Sequence, residues 1–452
     1  MEEVSEKVLF KEKFGYGLGD AASNLYFQMF VNFLLFFYTD VFGISAAAAG
    51  TMLMVSRFWD AANDPMMGII SDRTNTKWGK FRPYLVWMSI PLAVTGIFTF
   101  VTPDFSETGK IIYAYITFTL VMMAYTAINI PYSALMGVIS PNSQERTSIS
   151  TYRFVLAFVG AFIVQGLTLP LVNFFGGDNQ AVGFPITMAI FGVLACIMFY
   201  VTFATTHERV KEPASQNSSL KEDLKDLLKN KPWMYLLIMG IFTLGYVIIR
   251  SGTILYYFKY YLNNEVLASL FMVLGTIAVI AGVACTQFFA KKFGKKKFYI
   301  FVMAASTVLT VLFYFIPGDQ IILIFAVHIL ISFIMAPQAP LLWAMYADTA
   351  DYSEWKNGRR ATGLVFSAAT FAQKFGIAIG GGMAGWLLAL FGFVANTQQS
   401  PETLNGILLM MSVIPAVGSL IATVAAVFYE LDDDTMKKIE SDLQSRKIEA
   451  AA

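Results

Sequence analysis

Two carboxylates lie four residues apart in the stretch RFWDAANDP, which is otherwise apolar enough to cross a bilayer. At this spacing Asp60 and Asp64 share one face of a helix, with Asn63 beside them and Arg57 on the turn before. A carboxylate at the bilayer centre costs about 3 kcal/mol, so it persists where a cation, a proton or a basic partner meets it. Two carboxylates, an amide and a hydroxyl suit a small hard cation, and Thr126 in YTAINIP is a candidate source of the hydroxyl.

An internal salt-bridge network is the alternative for these residues. In that arrangement Arg57 neutralises Asp60, and Asp64 only holds helices together. Two acids facing one base leave a negative charge uncompensated, which favours a bound cation. The predicted cation ligands are therefore Asp60, Asn63, Asp64 and Thr126.

Further polar side chains interrupt other apolar runs. Asp20 and Asn24 again lie at positions i and i+4. Three separate apolar runs each contain one basic residue, namely Arg153, Arg250 and Lys374. Such bases are costly in a membrane unless an anionic group meets them. For Arg250 and Lys374 the alternatives are pairing with Asp20 or extension of the side chain to the membrane interface. The predicted substrate-binding residues are Asp20, Asn24, Asn129, Arg153, Arg250, Thr370, Gln373 and Lys374.

The composition of the 452-residue chain is typical of a membrane protein, since 56% of its residues are hydrophobic and only 14% are charged. A net charge of +1 gives no electrostatic reason to expect nucleic-acid binding. Cys196 and Cys285 are isolated in apolar runs, so neither a disulfide framework nor a metal motif is predicted. The charged N-terminus does not resemble a cleaved signal peptide. The chain has no His-Glu-x-x-His, Gly-x-Ser-x-Gly or Cys–His pairing, so we do not predict an enzyme.

Twelve segments are long and apolar enough to cross a bilayer core, which requires roughly 20 residues per helix. Alternate loops between them are rich in Lys and Arg, as in SDRTNTKWGKFRP, KKFGKKK and EWKNGRR. By the positive-inside rule, these loops and both termini are expected to be cytoplasmic, in a bacterial inner membrane. The predicted spans are 14–38, 46–70, 83–101, 111–138, 148–172, 182–205, 232–261, 267–290, 298–316, 321–346, 362–391 and 404–429.

The longest polar interruption divides the spans into two groups of six. We therefore predict an all-α membrane protein with an N-terminal six-helix bundle (1–206), a cytoplasmic linker (207–231), a C-terminal six-helix bundle (232–430) and a cytoplasmic tail (431–452). Leucines on one face of the linker predict a short helix at the membrane surface, with a docking site for a regulator as the alternative. The tail is expected to be soluble and partly helical.

Several motifs together resemble the glycoside–pentoside–hexuronide:cation symporters. They are RFWDAANDPMMG, WGKFRP, YTAINIPYSAL, YADTADYSEWK and ATFAQKFG, and they extend from the second span to the eleventh. The resemblance implies a major facilitator fold, in which two six-helix bundles rock about a central site. It also implies that Asp60, Asn63, Asp64 and Thr126 hold the co-transported cation. Sodium is the expected ion, with H⁺ or Li⁺ as alternatives, and we expect a monomer.

The sugar site departs from the family's galactoside pattern. Positions of the acidic sugar anchors are occupied by Asn24 and Asn129, and positions of two tryptophans by Ser133 and Ala339. Two basic positions are kept, as Arg153 and Lys374. A pocket that loses acids and keeps bases favours a carboxylate-bearing substrate. A hexuronide or a uronate-containing oligosaccharide is therefore expected; the alternatives are a proton-coupled neutral glycoside or pentoside symporter and a sodium-dependent lysolipid carrier.

Charged residues near the ends of the second and tenth spans predict an inner gate. Opposite charges there are expected to form salt bridges that hold the gate shut, although a surface charge cluster without a gating role has the same sequence pattern. The predicted gating residues are Asp72, Arg73, Arg82, Asp351, Glu354 and Arg359.

Overall fold

The computed structural model describes residues 8–140, 142–209, 230–357 and 362–451. In these residues the regular structure is helical, apart from an isolated bridge between Thr76 and Gly79. The predicted all-α fold is therefore confirmed.

Eight helices within the described part of the chain are long and apolar enough to cross a membrane. They correspond to the predicted spans four to ten and twelve. The other four predicted spans, the first, second, third and eleventh, are also helical. The first, second and eleventh carry charged side chains, and the helix of the third span is broken at Met88. The eight helices are Glu107–Ile139, Ser148–Gly176, Gln180–Thr205, Lys231–Tyr261, Val266–Phe293, Lys295–Phe313, Ile321–Lys356 and Pro401–Phe428.

The chain divides into two compact units. The first comprises the described residues of Met1–Ala214, Asn264–Val273 and Leu388–Gln399. The second comprises those of Ser215–Asn263, Leu274–Leu387 and Ser400–Ala452. The bundle boundaries expected from the sequence remain a prediction.

Helix α1 lies at the centre of the first unit, where it packs against α7 and α8. It is buried along most of its length, which explains why its apolar residues are not confined to one face. Serine side chains begin two other helices: Ser45 accepts the amide hydrogen of Ala48, and Ser106 accepts that of Gly109. The elements are α1 (Phe10–Asn32), α2 (Leu34–Phe36), a π-helical turn (Phe37–Val41), α3 (Ala46–Arg73), α4 (Arg82–Trp87), α5 (Ser89–Thr99), α6 (Glu107–Ile139), α7 (Ser143–Gly176) and α8 (Gln180–Thr205).

The second unit is built around α16, which packs against α9 and α11. Helix α9 begins at an Asn230 cap followed by Pro232, and α15 begins at a Ser400 cap followed by Pro401. The elements are α9 (Lys231–Tyr256), a π-helical turn (Tyr257–Tyr261), α10 (Val266–Phe293, of which residues up to 273 belong to the first unit), α11 (Lys295–Phe313), α12 (Ile321–Met335), α13 (Gln338–Asn357), α14 (Thr362–Leu390), α15 (Pro401–Met411), α16 (Val413–Phe428) and α17 (Asp433–Ala451).

The tail forms α17, so its predicted helical character is confirmed. It packs against α13, where the Trp355 indole donates to Asp442 at 2.9 Å and Arg446 donates to the Trp355 carbonyl at 2.9 Å. Just before α17, the amide and hydroxyl of Thr435 donate to Asp432 and lower the pKa of that carboxyl. The surface helix predicted for the linker lies outside the described residues.

Candidate functional site

Helices α3 and α6 pack together and position the predicted cation ligands. The Thr126 hydroxyl on α6 lies 3.3 Å from Oδ1 of Asp64 on α3. Asp60, one turn earlier on α3, is only 2% exposed, and Asn63 and Asp64 are half-buried. The structure thus brings Asp64 and Thr126 into contact and puts the other two predicted ligands on the same stretch of α3. We call Arg57, Asp60, Asn63, Asp64 and Thr126 the cation cluster.

Part of the alternative salt-bridge arrangement is also present. Nη1 of Arg57 lies 3.4 Å from Oδ2 of Asp60, whereas a strong charge-assisted hydrogen bond is about 2.7–2.9 Å long. The cation cluster thus contains one arginine and two carboxylates. Pro65 follows directly in α3. Because proline has no amide hydrogen, the carbonyl of residue 61 loses its intrahelical donor, which adds an oxygen acceptor beside the carboxylates.

The predicted substrate residues of the first unit centre on an ion pair. Nε of Arg153 donates to Oδ2 of Asp20 at 3.0 Å, so Asp20 is engaged by Arg153, whereas the sequence had suggested Arg250 or Lys374 as its partner. The side-chain amide of Asn24 donates to the Asp20 carbonyl at 3.0 Å. These residues lie together on α1 and α7.

Tyr125 on α6 lies near both this ion pair and the cation cluster. It is within electrostatic range of Asp20 and Arg153 and also of Arg57 and Asp60. The Asn129 side chain, predicted to bind substrate, donates to the Tyr125 carbonyl at 2.9 Å. The two predicted sites are therefore neighbours within the first unit.

A stacked tyrosine pair lies beside the Asp20–Arg153 ion pair, and spacing along the chain does not predict it because the two rings come from α1 and α6. The rings of Tyr16 and Tyr132 are 4.5 Å apart, and each hydroxyl donates to the backbone carbonyl of the other residue, at 3.0 and 2.7 Å. The Arg153 guanidinium lies 5.5 Å from the Tyr132 ring. Gly19 permits this packing, because a Cβ there would be 2.5 Å from that ring. Tyr132 is fully buried, so its role in the structure is packing.

Arg250 in the second unit donates a hydrogen bond at the point where the last predicted span is broken, between α15 and α16. Its Nε donates at 3.1 Å to the carbonyl of Met411, where α15 ends. Four residues later Pro415 has no amide hydrogen to offer that carbonyl, so the arginine replaces the missing helical donor. The guanidinium also lies 5.4 Å from the Phe313 ring. The residue is 7% exposed, and among the described residues its Nη2 has no hydrogen-bond partner.

The remaining predicted substrate residues lie on α14 of the same unit. Thr370 is exposed, and Gln373 and Lys374 are half-buried. Their roles, like that of Arg250 toward a substrate, remain predictions.

The predicted gating residue Arg82 is bound within the first unit. Its Nη2 donates at 2.7 Å to the carbonyl of Phe203 on α8, and its guanidinium lies 4.8 Å from the Phe203 ring. Asp72 and Arg73 are exposed at the end of α3. On α13 of the second unit Asp351 and Glu354 are half-buried, and Arg359 lies outside the described residues. The gate itself remains a prediction.

Glu208 and Arg209, which fall within the predicted linker, form hydrogen bonds and an ion pair within the first unit. Glu208 accepts three consecutive amide hydrogens at the start of α4, from Lys80, Phe81 and Arg82, at 2.8, 2.8 and 3.0 Å. Arg209 forms a two-point ion pair with the buried Glu12, at 2.7 and 2.8 Å. We call this the Glu208–Arg209 clamp. The clamp could not be predicted from the sequence, because the stretch HER (residues 207–209) lies in a polar segment whose charged residues are expected to face solvent.

A family model described as MFS/sugar transport protein matches residues 15–433. The chain is 38% identical over 434 residues to the putative glycoside/cation symporter YagG of Escherichia coli (strain K12), covering 96% of this chain and 94% of that protein. It is 37% identical to the isoprimeverose transporter of Lactiplantibacillus pentosus, with coverage of 97% and 92%. It is 30% identical to the glucuronide carrier protein homolog of Escherichia coli (strain K12), with coverage of 98% and 97%.

The fold is similar to that of a solved membrane transporter. The crystal structure of the nucleoside transporter NupG superposes with a TM-score of 0.66, covering 93% of this chain and all of that chain (100%). The sequence identity is 14%, so this likeness concerns the fold alone.

Proposed function

The chain belongs to the MFS/sugar transport protein family and is a secondary transporter of sugars, not an enzyme, and we propose that it couples glycoside entry to sodium. It is a multi-pass membrane protein. We further propose that it resides in the bacterial inner membrane with its basic loops and both termini in the cytoplasm, on the basis of the charge distribution of the loops. Neither the family description nor the relatives reported above name a lysolipid carrier, so that alternative is not proposed.

The observation that carries the sodium proposal is the contact between Asp64 and Thr126 beside the buried Asp60. Carboxylate, hydroxyl and amide oxygens are the ligands that hard cations prefer. A bound cation would lie against the two carboxylates of the cation cluster and reduce the repulsion between them. Because Tyr125 is within electrostatic range of both this cluster and the Asp20–Arg153 pair, the two sites are close enough for a change in charge at one to alter the electrostatic potential at the other.

The test is sugar uptake into membrane vesicles with and without a sodium gradient. Asp64→Asn is expected to reduce sodium-stimulated uptake at least about 10-fold, the effect of losing about 1.4 kcal/mol of cation binding. Asp104→Asn removes an equal charge from an exposed loop of the same unit and is the matched control. Sodium stimulation that survives in Asp64→Asn would refute the assignment. Uptake driven by a pH gradient in the absence of sodium would instead support proton coupling.

For the sugar, we propose a hexuronide or a uronate-containing oligosaccharide. Lys374 supports this class, because an ammonium group forms its strongest hydrogen bonds with a carboxylate. Arg153 would bind a substrate carboxylate only in competition with Asp20. A relative that shares nearly the whole length of the chain is named as a glucuronide carrier homolog.

A neutral glycoside is the second candidate, and the Asp20–Arg153 ion pair favours it. A paired arginine contributes no net charge, and both partners still offer hydrogen bonds to sugar hydroxyls. The relative named for isoprimeverose transport supports the same class.

A matched pair of competitors separates the two candidates. Methyl glucuronide and methyl glucoside differ in one carboxylate, so their inhibition of uptake reports on recognition of that group. If the substrate is a uronate, methyl glucuronide should inhibit uptake at a concentration at least about 10-fold lower than methyl glucoside does. Lys374→Gln should then remove this preference and leave inhibition by methyl glucoside unchanged. Equal inhibition by the two sugars would establish the neutral class.

A further inference from the structure

An apolar cavity of about 510 Å³ lies among α10, α11 and α12 in the second unit. Its walls include Cys285 and Phe289 from α10, Phe298 from α11 and Phe333 from α12. Phe301, also in the wall, is 62% exposed, so the cavity is open along the outer surface of these helices. None of the residues predicted to bind cation or substrate, or to form the gate, lines it.

The shape of the cavity follows from one close helix contact. At Gly282 a Cβ would lie 2.2 Å from the carbonyl of Phe333, so α10 and α12 touch there and the cavity begins beside this contact. It extends along α10 to Phe293, a distance of roughly 16 Å at 1.5 Å per residue. Half of a bilayer's hydrocarbon core is about 15 Å thick. The cavity therefore matches the depth of one leaflet.

The mouth of the cavity is basic. Lys297 is part of its wall and is exposed, and Lys291 and Lys292 are exposed at the end of α10. Lys295 forms an ion pair with Asp348, and Asp432 interacts electrostatically with Lys296 and Lys297. Acidic residues lie here as well, since Asp433 accepts the amide hydrogen of Lys295 and Asp351 lies near Asp348. The exposed Lys291, Lys292 and Lys297 place basic groups at the mouth of the cavity.

We propose that this cavity is a binding site for an anionic glycerophospholipid. One acyl chain lies in the cavity against Phe289, Phe298 and Phe333, and the phosphate group lies at Lys297. Basic pockets between membrane helices bind acidic head groups, and each buried methylene of an acyl chain adds to affinity. The lipid is a resident ligand and not a transported substrate, because the site is separate from the cation cluster and from the Asp20–Arg153 pair.

Native mass spectrometry of the purified full-length protein, titrated with phosphatidylglycerol or phosphatidylcholine, tests this proposal. We expect one phosphatidylglycerol to bind at least about 5-fold more tightly than phosphatidylcholine of the same chain length. Lys297→Gln should remove this preference, and Cys285→Trp should remove the bound lipid by filling the cavity. Lys259→Gln, which removes one positive charge from the π-helical turn Tyr257–Tyr261, is the control and should bind like the parent protein.

Equal binding of the two lipids to the parent protein would overturn the proposal, because it would indicate a non-selective lipid shell. An unchanged phosphatidylglycerol preference in Lys297→Gln would overturn it as well. The Lys297→Gln substitution is at an exposed position, so this second outcome does not depend on whether Cys285→Trp folds.

Discussion

At the scale of single residues, Thr126 is the side chain through which α6 reaches the carboxylates of α3. Thr126→Val keeps the shape of the side chain and removes one oxygen ligand. A hydrogen bond or ligand of this kind contributes about 1–1.5 kcal/mol net, so the sodium concentration for half-maximal uptake should rise about 10-fold. Sugar uptake at saturating sodium should remain.

Thr117 provides the matched control for this prediction. It is a buried threonine on the same helix, and its hydroxyl donates to the Tyr113 carbonyl at 2.9 Å. Thr117→Val therefore loses a hydroxyl far from any carboxylate of the cation cluster. If both variants shift the sodium dependence equally, the effect comes from packing of α6 and the role given to Thr126 is wrong.

The contacts within one helix could be predicted from spacing, whereas contacts between helices could not. The i, i+3 and i, i+4 relations of Arg57, Asp60 and Asp64 follow from helix geometry alone. Asp20, however, pairs with Arg153 on α7, not with Arg250 or Lys374. Spacing along the chain holds no information on which of three distant bases meets an acid, since this depends on how the helices pack.

At the scale of elements, the main departures from the sequence prediction are helix breaks. The third and twelfth spans are interrupted at Met88 and Ser412, although both segments are apolar throughout, so hydropathy does not register the interruption. Pro415 is the readable signal for the second break, because it leaves the Met411 carbonyl without a helical donor. That Arg250 supplies the replacement could not be predicted, since it comes from a helix more than a hundred residues earlier.

The Glu208–Arg209 clamp is an element-scale device whose removal should reduce stability. Glu208→Gln loses the charge that attracts three amide hydrogens at the start of α4. Hydrogen bonds to charged groups contribute about 1.5–3 kcal/mol, and a helix N-terminus favours an anion. The free energy of unfolding should therefore fall by about 2 kcal/mol, measured by thermal unfolding of the purified protein.

A variant of Gly79, whose backbone lies next to the Glu208 carboxylate, tests the same clamp. Gly79 has a φ of +108°, and a Cβ there would lie 2.5 Å from the Glu208 carboxyl group. Gly79→Ala should thus destabilise the protein at least as much as Glu208→Gln, through backbone strain and displacement of the carboxylate. Glu107→Gln, at the exposed first turn of α6, is the control and should change stability by less than about 1 kcal/mol. Stability of all three variants at the parent level would contradict the clamp.

At the scale of the whole molecule, composition and loop charge are sufficient to predict a helical membrane protein, because a bilayer admits few other folds. They do not single out the spans that matter most for function. Three of the four predicted spans that are not among the eight helices named above contain residues of the predicted cation or substrate sites, namely α1, α3 and α14. Thr126, Arg153 and Arg250 lie on helices within the eight. Hydropathy alone therefore does not separate the helices that carry predicted site residues from the others.

Symport requires that the two ligands strengthen each other's binding. Sodium should increase the affinity of the purified protein for its sugar by a factor of about 5–150, and the sugar should increase the affinity for sodium by the same factor, because the coupling free energy is shared. Isothermal titration calorimetry of each ligand, with and without the other, measures both factors. Asp64→Asn is expected to reduce the factor to about one while the sugar still binds, because the sugar residues on α1 and α7 are intact. A factor of one in the parent protein would mean that the coupling free energy between the neighbouring sites of the first unit is zero, which would contradict the proposed symport.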